Sequence, residues 1–392
     1  MRIIGVVTVA RSDYGIYQSV LRRIQADPDL GLHLIVSGMH LSAEFGSTVK
    51  TIEADGYPIG DRIEMLLSSD SPEGIAGSMG LGTMGMAQAY ARHRPDILVV
   101  LGDRFEMHAA AVAALPFKIP VAHIHGGELT EGAIDDALRH SLTKLSHLHF
   151  VSTQEYCDRV VQLGEEPWRV VISGAPGLDN LKETKLLGKA ELAKRLDFPL
   201  DHPPLLVTFH PVTLEYEETR RQIGELLAAL SRFDLPIVFT LPNADTGGRV
   251  ISPMLAEFVK GRSSARIVDN LGTEAYFSLM AIGAAMLGNS SSGIIEAPSF
   301  KLPVVNIGTR QQGRVRAANV IDVGYGMDEI SEGIRRATQT TFRESLSTLV
   351  NPYGIGQAAE KIVDRLKTAV LDERLIRKHF YDLPGRTAGE AQ

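Results

Sequence analysis

Residues 96–128 read DILVVLGDRFEMHAAAVAALPFKIPVAHIHGGE. Two apolar runs, 96–102 and 119–124, flank an alanine-rich stretch at 105–115 with helical spacing. Continuous apolar runs belong to strands buried on both faces, as in a parallel sheet covered by helices; a sheet with one wet face alternates instead. The stretch is therefore a strand–helix–strand unit, and the rest of the chain repeats it. Further strands are predicted at 2–9, 32–38, 148–152 and 169–173, with helices at 15–26, 46–54, 73–93, 135–147 and 154–164. In the second half, strands are predicted at 204–209, 236–241, 265–268, 284–287, 302–307 and 319–323. Helices there fall at 215–231, 250–260, 273–282, 292–299 and 327–338. Two such series in succession predict an α/β protein of two Rossmann-like domains, 1–178 and 204–355. The polar, proline-closed stretch 178–203 reads as the linker, and 356–380 reads as one long charged amphipathic helix. A length of 392 residues suits two domains of roughly 150–200 residues.

Composition narrows the function classes. Hydrophobic residues at 44% and charged residues at 22% exclude a disordered chain. A net charge of −7 repels phosphate backbones, so no nucleic-acid partner is expected. The single cysteine, Cys157, excludes an internal disulfide and a cysteine-based zinc site. The first apolar run meets Arg11 and Asp13 too early for a signal peptide, and no window approaches ~20 apolar residues. A cytoplasmic protein with no membrane partner is the expectation.

Open parallel sheets bind ligands beyond the carboxyl ends of their strands. Polar residues do gather after the apolar runs: Arg11 and Asp13; Gly38 and His40; Asp103 and Arg104; His123, His125 and Glu128. In the second half come His210, Asn243, the run Gly288-Asn-Ser-Ser-Ser-Gly293, and Arg310 with Arg314 and Arg316. Two such rims suggest a cleft between the domains. The small residues Ser290, Ser291, Ser292 and Gly293, ahead of a helix, suit a diphosphate cradle without a lysine, and Glu296 one turn on can take sugar hydroxyls; a capped helix start is the plainer alternative. Arg11 and Asp13 stand where a dinucleotide fold needs glycines, which argues against a nicotinamide enzyme. The glycine-rich 74–85 reads as close helix packing or a mobile segment. His123 and His125 share a face if extended, which zinc can use, but His and Glu in such a site also transfer protons without metal. Asp135, Asp136, Arg139 and His140 overlap at helical spacing, either as a capped, ion-paired helix start or as site residues. The arginines at 310, 314 and 316 either draw in an anion or form a solvated loop.

These motifs, in order, resemble the hydrolysing UDP-sugar 2-epimerases of sialic and legionaminic acid biosynthesis, relatives of the non-hydrolysing UDP-N-acetylglucosamine 2-epimerases. The resemblance runs from RSDYG through GMH, LGDR, HIHGGE, DDALRHSLTKLSH, HPVT, PNADTG, GNSSSGIIE and NIGTRQQGR to NPYG. It implies a GT-B arrangement, with UDP held by the C-terminal domain, the sugar in the cleft, and the last helix crossing back to the first domain. Asp103, Glu128 and Asp135 are the implied catalytic residues, with His210 near the diphosphate and Arg11 at the phosphates. Some relatives have Glu where His125 stands, so either His125 or Glu128 does that glutamate's work. Asp13, Arg104, Asp136, Arg139, His140, Asn243, Arg310 and Arg314 complete the expected substrate contacts. No cofactor and no metal are expected, and the resemblance implies a homodimer or homotetramer.

The implied reaction converts UDP-N-acetylglucosamine, or a UDP-2,4-diacetamido-trideoxyhexose, and water to the free 2-epimer and UDP. It requires a base at C2, stabilisation of departing UDP, and an acid/base pair to hydrate a glycal. Carboxylates crowded around Asp103 and Asp135 are expected to raise one another's pKa. A non-hydrolysing epimerase, a GT-B glycosyltransferase and a UDP-sugar sensor are the competing readings.

Overall fold

A computed structural model describes residues 1–68, 71–131, 134–241, 248–268 and 271–383. The chain divides into two compact units. The first comprises Met1–Glu128, Ile134–Asn180 and the chain from Tyr353; the second comprises Leu181–Pro352 and a short segment beginning at Leu129.

The first unit holds β1 (Arg2–Thr8), β2 (Leu30–Ser37), β3 (Ile59–Ile63), β4 (Ile97–Leu101), β5 (Val121–Ile124), β6 (Leu148–Val151) and β7 (Val170–Ile172). They form one sheet in the order β3-β2-β1-β4-β5-β6-β7, every pairing parallel. The opening stretch is a βαβ unit as predicted: β4 is buried along its whole length, helix Phe105–Ala114 succeeds it, and β5 lies beside β4. Helix Arg11–Ala26 and helix Ala358–Thr368 pack their apolar sides into the same core, through Tyr17, Val20, Leu21, Ile24, Ile362 and Leu366.

The second unit holds β8 (Leu205–Thr208), β9 (Ile237–Thr240), β10 (Ala265–Val268), β11 (Ala285–Gly288), β12 (Val304–Ile307) and β13 (Val320–Val323). Their order is β10-β9-β8-β11-β12-β13, again all parallel. Both sheets thus run outward from their first strand on one side and from their fourth on the other. The first strand's neighbours come from opposite windings, so a crevice opens at the carboxyl ends of β1/β4 and of β8/β11.

Three sequence expectations change. Strand β3, IGDRI, is absent from the predicted set: its charged alternation is that of an edge strand with one side to water, not of a buried run. The predicted single helix 356–380 is two, Ala358–Thr368 and Glu373–Ile376. Ala369 turns extended between them, and the Asp372 carboxylate accepts from Leu375 N–H to start the second. Fully buried Arg169 anchors this second helix, donating to the carbonyls of Arg374, Leu375 and Arg377. Within 178–203, helix Lys189–Leu196 buries Leu192 and Leu196 with Phe198 and Leu200 in a core of the second unit. The glycines of 74–85 lie inside helix Pro72–Arg92, where a Cβ on Gly82 would sit 2.5 Å from Met65 Cε and one on Gly85 2.5 Å from Ile63 Cγ2. Gly82 and Gly85 are packing glycines, whereas Gly80 faces open space.

Candidate functional site

The carboxyl ends of β1, β4, β5 and β6 carry the polar cluster of the first unit. After β4 the chain turns through Gly102, which has φ +74°, and presents Asp103 and Arg104. Buried Arg139, from helix Ile134–Leu145, ion-pairs with Asp103 and donates to the His125 carbonyl at 2.8 Å. Asp135, on the first turn of that helix, has its pKa pushed up to about 6, by burial first and the Asp103 carboxylate second. Asp136 forms an i,i+4 pair with His140, Nε2 to Oδ2 3.5 Å.

After β5, His125 adopts φ +65°, a left-handed conformation uncommon outside glycine. Its Nδ1 meets Glu128 Oε1 at 2.6 Å and Ser152 Oγ at 3.0 Å, and Ser152 donates to Glu128 at 2.9 Å. His125 and Glu128 are nearly fully buried, so the carboxylate fixes which imidazole nitrogen carries the proton. Gly127, at φ +76°, permits the turn: a Cβ there would lie 2.5 Å from the Tyr156 carbonyl oxygen. His123 does not share His125's partners. It donates through Nε2 to the Gly102 carbonyl at 2.7 Å, and burial pulls its pKa down to about 3. The shared histidine face considered from sequence assumed an extended chain, and the left-handed turn at His125 departs from that premise.

At the end of β1, the Asp13 carboxylate is spent on its own loop. It accepts from Thr8 Oγ1 at 2.9 Å, Val9 N–H at 2.8 Å and Ala10 N–H at 2.7 Å, and burial lifts its pKa to about 6. Asp13 shapes the loop that presents exposed Arg11, whereas the sequence suggested a substrate contact. Buried His40 joins through Thr8 Oγ1 at 3.0 Å. Arg104 acts electrostatically on Asp13, His40 and Asp135, which makes it the shared cation of this rim.

In the second unit the crevice between β8 and β11 is closed at its base. A Cβ on Gly288, at φ +122°, would overlap the Thr208 carbonyl oxygen. Asn289 then clips the two strand ends together, accepting from His210 N–H at 2.7 Å and donating to the His210 carbonyl at 2.8 Å. The Asn289 carbonyl accepts from Arg310 and Gln311, both at 2.9 Å, which brings the 310 loop to the serine loop. Burial, then the Arg310 charge, lowers the His210 pKa to about 3. Ser290, Ser291 and Ser292 lead into the short helix Ser292–Ile295, with Glu296 at its end. Gly293 serves packing: a Cβ there would sit 2.9 Å from Val304 Cγ1. Arg314 donates to the Leu129 carbonyl at 3.3 Å, and Arg316 is held by Asp322 at 2.9 Å, so Arg316 is structural. Asn243 lies outside the described residues.

Sequence reasoning missed two contributors. Ser152 comes directly after β6, where the carboxyl-end rule could have found it. Tyr276 reads as an apolar position of helix Gly272–Ile282, yet its hydroxyl lies among Ser292, Thr208 and Ser290, and burial pushes it to about 12.

The family model for UDP-N-acetylglucosamine 2-epimerase matches residues 22–367. A Campylobacter jejuni protein named GDP/UDP-N,N'-diacetylbacillosamine 2-epimerase (hydrolyzing) is 40% identical over 97% of this chain and 99% of its own length. The Legionella pneumophila UDP-N,N'-diacetylbacillosamine 2-epimerase (hydrolyzing) is 37% identical over 95% and 97%. In fold, the chain resembles the Neisseria meningitidis UDP-GlcNAc 2-epimerase crystallised with UDP-GlcNAc, with a TM-score of 0.81 at 20% identity over 93% of this chain and 99% of that one. With a family model spanning most of its length and two relatives matched almost end to end, this chain belongs to the UDP-N-acetylglucosamine 2-epimerase family.

Proposed function

We propose that this chain is a hydrolysing 2-epimerase that converts a UDP-2-acetamido sugar and water to the free 2-epimeric sugar and UDP. The observation that carries the reading is its 40% identity, over 97% of the chain, with a relative named for that hydrolysing activity. The preferred substrate is UDP-N,N'-diacetylbacillosamine, named for the relative at 37% identity and, beside its GDP-linked form, for the relative at 40%. UDP-N-acetylglucosamine is the alternative. The first unit serves the sugar and the second serves UDP. A cytoplasmic homodimer or homotetramer in sialic or legionaminic acid biosynthesis fits the resemblance of the motifs.

In this reaction a base removes the C2 proton while the C1–O bond breaks and its electrons leave with UDP. Water then adds across the resulting glycal, with hydroxyl at C1 and a proton at C2 on the opposite face. His125, its Nδ1 held by Glu128, offers Nε2 for proton transfer, and Glu128 keeps the tautomer and balances the imidazolium charge. Asp135, which keeps its proton up to about pH 6, is the acid beside the Asp103–Arg139 pair. Arg310 and the serine hydroxyls take the diphosphate, and Glu296 takes the ribose. His210 is uncharged at neutral pH without ligand; a neighbouring diphosphate favours its protonated form, which stabilises the leaving group.

The test incubates the protein with each UDP-sugar and identifies the products by NMR. Free 2-epimeric sugar and UDP in equal amounts are expected. UDP-sugar epimerised but still attached, or UDP released only with an acceptor, would overturn the hydrolysing reading.

A further inference from the structure

Away from these residues, His33 in β2, Asp61 in β3 and His93 at the end of helix Pro72–Arg92 converge at the edge of the first sheet. His93 ends the helix that precedes β4, so the cluster lies toward the amino ends of the strands, away from the carboxyl-end rim. One donor atom from each residue lies within 4.8 Å of the others. Asp61 Oδ2 is the hub, 2.9 Å from His33 Nε2 and 3.4 Å from His93 Nδ1. Among the described residues no other histidine, cysteine and carboxylate group meets this spacing.

We propose that His33, Asp61 and His93 form a binding site for a divalent transition metal of the zinc class, separate from the catalytic residues. Two imidazole nitrogens and one carboxylate oxygen are the ligands zinc takes in three-residue sites, with water in the fourth position. Tetrahedral bonds of about 2.0–2.1 Å put neighbouring donors about 3.3 Å apart. The Asp61–His93 separation already matches, and His33 needs to draw back from Asp61 by a few tenths of an ångström as metal replaces the shared proton. His93 is exposed, so the fourth position opens to water, while Asp61 is only 7% exposed.

The surroundings orient the donors. Arg92 donates to Asp61 Oδ1 at 2.8 Å, which fixes the carboxylate and leaves Oδ2 to the imidazoles. Ligating carboxylates are commonly held by such an outer hydrogen bond. The Arg92 charge opposes a second cation, but its side chain is 54% exposed, so water and salt screen it. Gly60 provides the seat for His33, because a Cβ there would come within 2.5 Å of the ring's Nδ1. A bound ion would tie the edge strand β3 to β2 and to the end of the long helix.

The test titrates metal-stripped full-length protein with cobalt(II) chloride, read by visible absorption, and with zinc chloride by calorimetry. One equivalent is expected to bind with micromolar affinity and give the intense visible bands of four-coordinate cobalt. His93→Ala, at an exposed position, and His33→Gln are each expected to weaken binding at least 30-fold, with circular dichroism unchanged. Turnover of the UDP-sugar by His93→Ala is expected to match wild type. No stoichiometric binding by wild type at 100 µM metal, or undiminished binding by folded His93→Ala, would overturn the proposal and leave a hydrogen-bonded triad only.

Discussion

In the proposed reaction His125 and Glu128 act as one unit, because their 2.6 Å contact is buried and Ser152 touches both. Glu128→Gln keeps the shape but removes the charge that orients the imidazole. It is expected to lower kcat about 10²–10⁴-fold while UDP affinity by calorimetry stays within about twofold. Residues acting as a unit are not additive, so the double change His125→Gln, Glu128→Gln is expected to cost scarcely more than either alone. Additive losses would separate their roles. At the other unit, Ser291→Ala with Ser292→Ala is expected to weaken UDP binding by about 1–3 kcal/mol, measured by calorimetry. Unchanged affinity would move the diphosphate elsewhere.

The candidate residues sit just after strand ends, and glycines shape several of the turns there. Gly288→Ala would force a methyl group into the Thr208 carbonyl at a backbone angle alanine avoids. We expect soluble protein to be largely lost, or thermal unfolding to begin at least about 5 °C lower, in a scan with Gly46→Ala as an exposed-turn comparison. The buried runs at β4, β5, β8 and β12 were legible because segments with at most one polar residue have few other places to go. Strand β3 was not legible, since Asp61 and Arg62 break its run, and the same alternation hid the partner of His33. Asp103, Glu128 and the serine loop lie after strand ends, where the pattern of apolar runs places them. The turn at His125 was not legible, because a left-handed histidine is imposed by Glu128, Ser152 and Gly127 rather than announced by local sequence. Asp13 misled for a related reason: a carboxylate near a helix start looks alike whether it faces a ligand or its own backbone.

Across the whole molecule, buried histidines make stability depend on pH. The pKa values of His123 and His210 fall to about 3 and those of His40 and His147 to about 4, in each case mainly through burial. Below their ordinary 6.5, the unfolded chain takes protons that the folded chain refuses, so these residues cost stability as pH falls through that window. Asp13 and Asp135, raised to about 6 by burial, act oppositely between pH 6 and 3.8, because there the folded chain holds the extra proton. The histidines outnumber them, so the thermal midpoint is expected to drop by about 5 °C or more between pH 7 and pH 5. A flat or rising profile by calorimetry would contradict those burial effects. The central claim, that the chain epimerises at C2 as it releases UDP, has a direct readout in the hydrogen at that carbon. Turnover of the UDP-sugar in D2O, with NMR of the free product, is predicted to give inverted C2 carrying deuterium. A product that keeps its original C2 hydrogen and configuration would contradict it and leave simple hydrolysis of the sugar nucleotide.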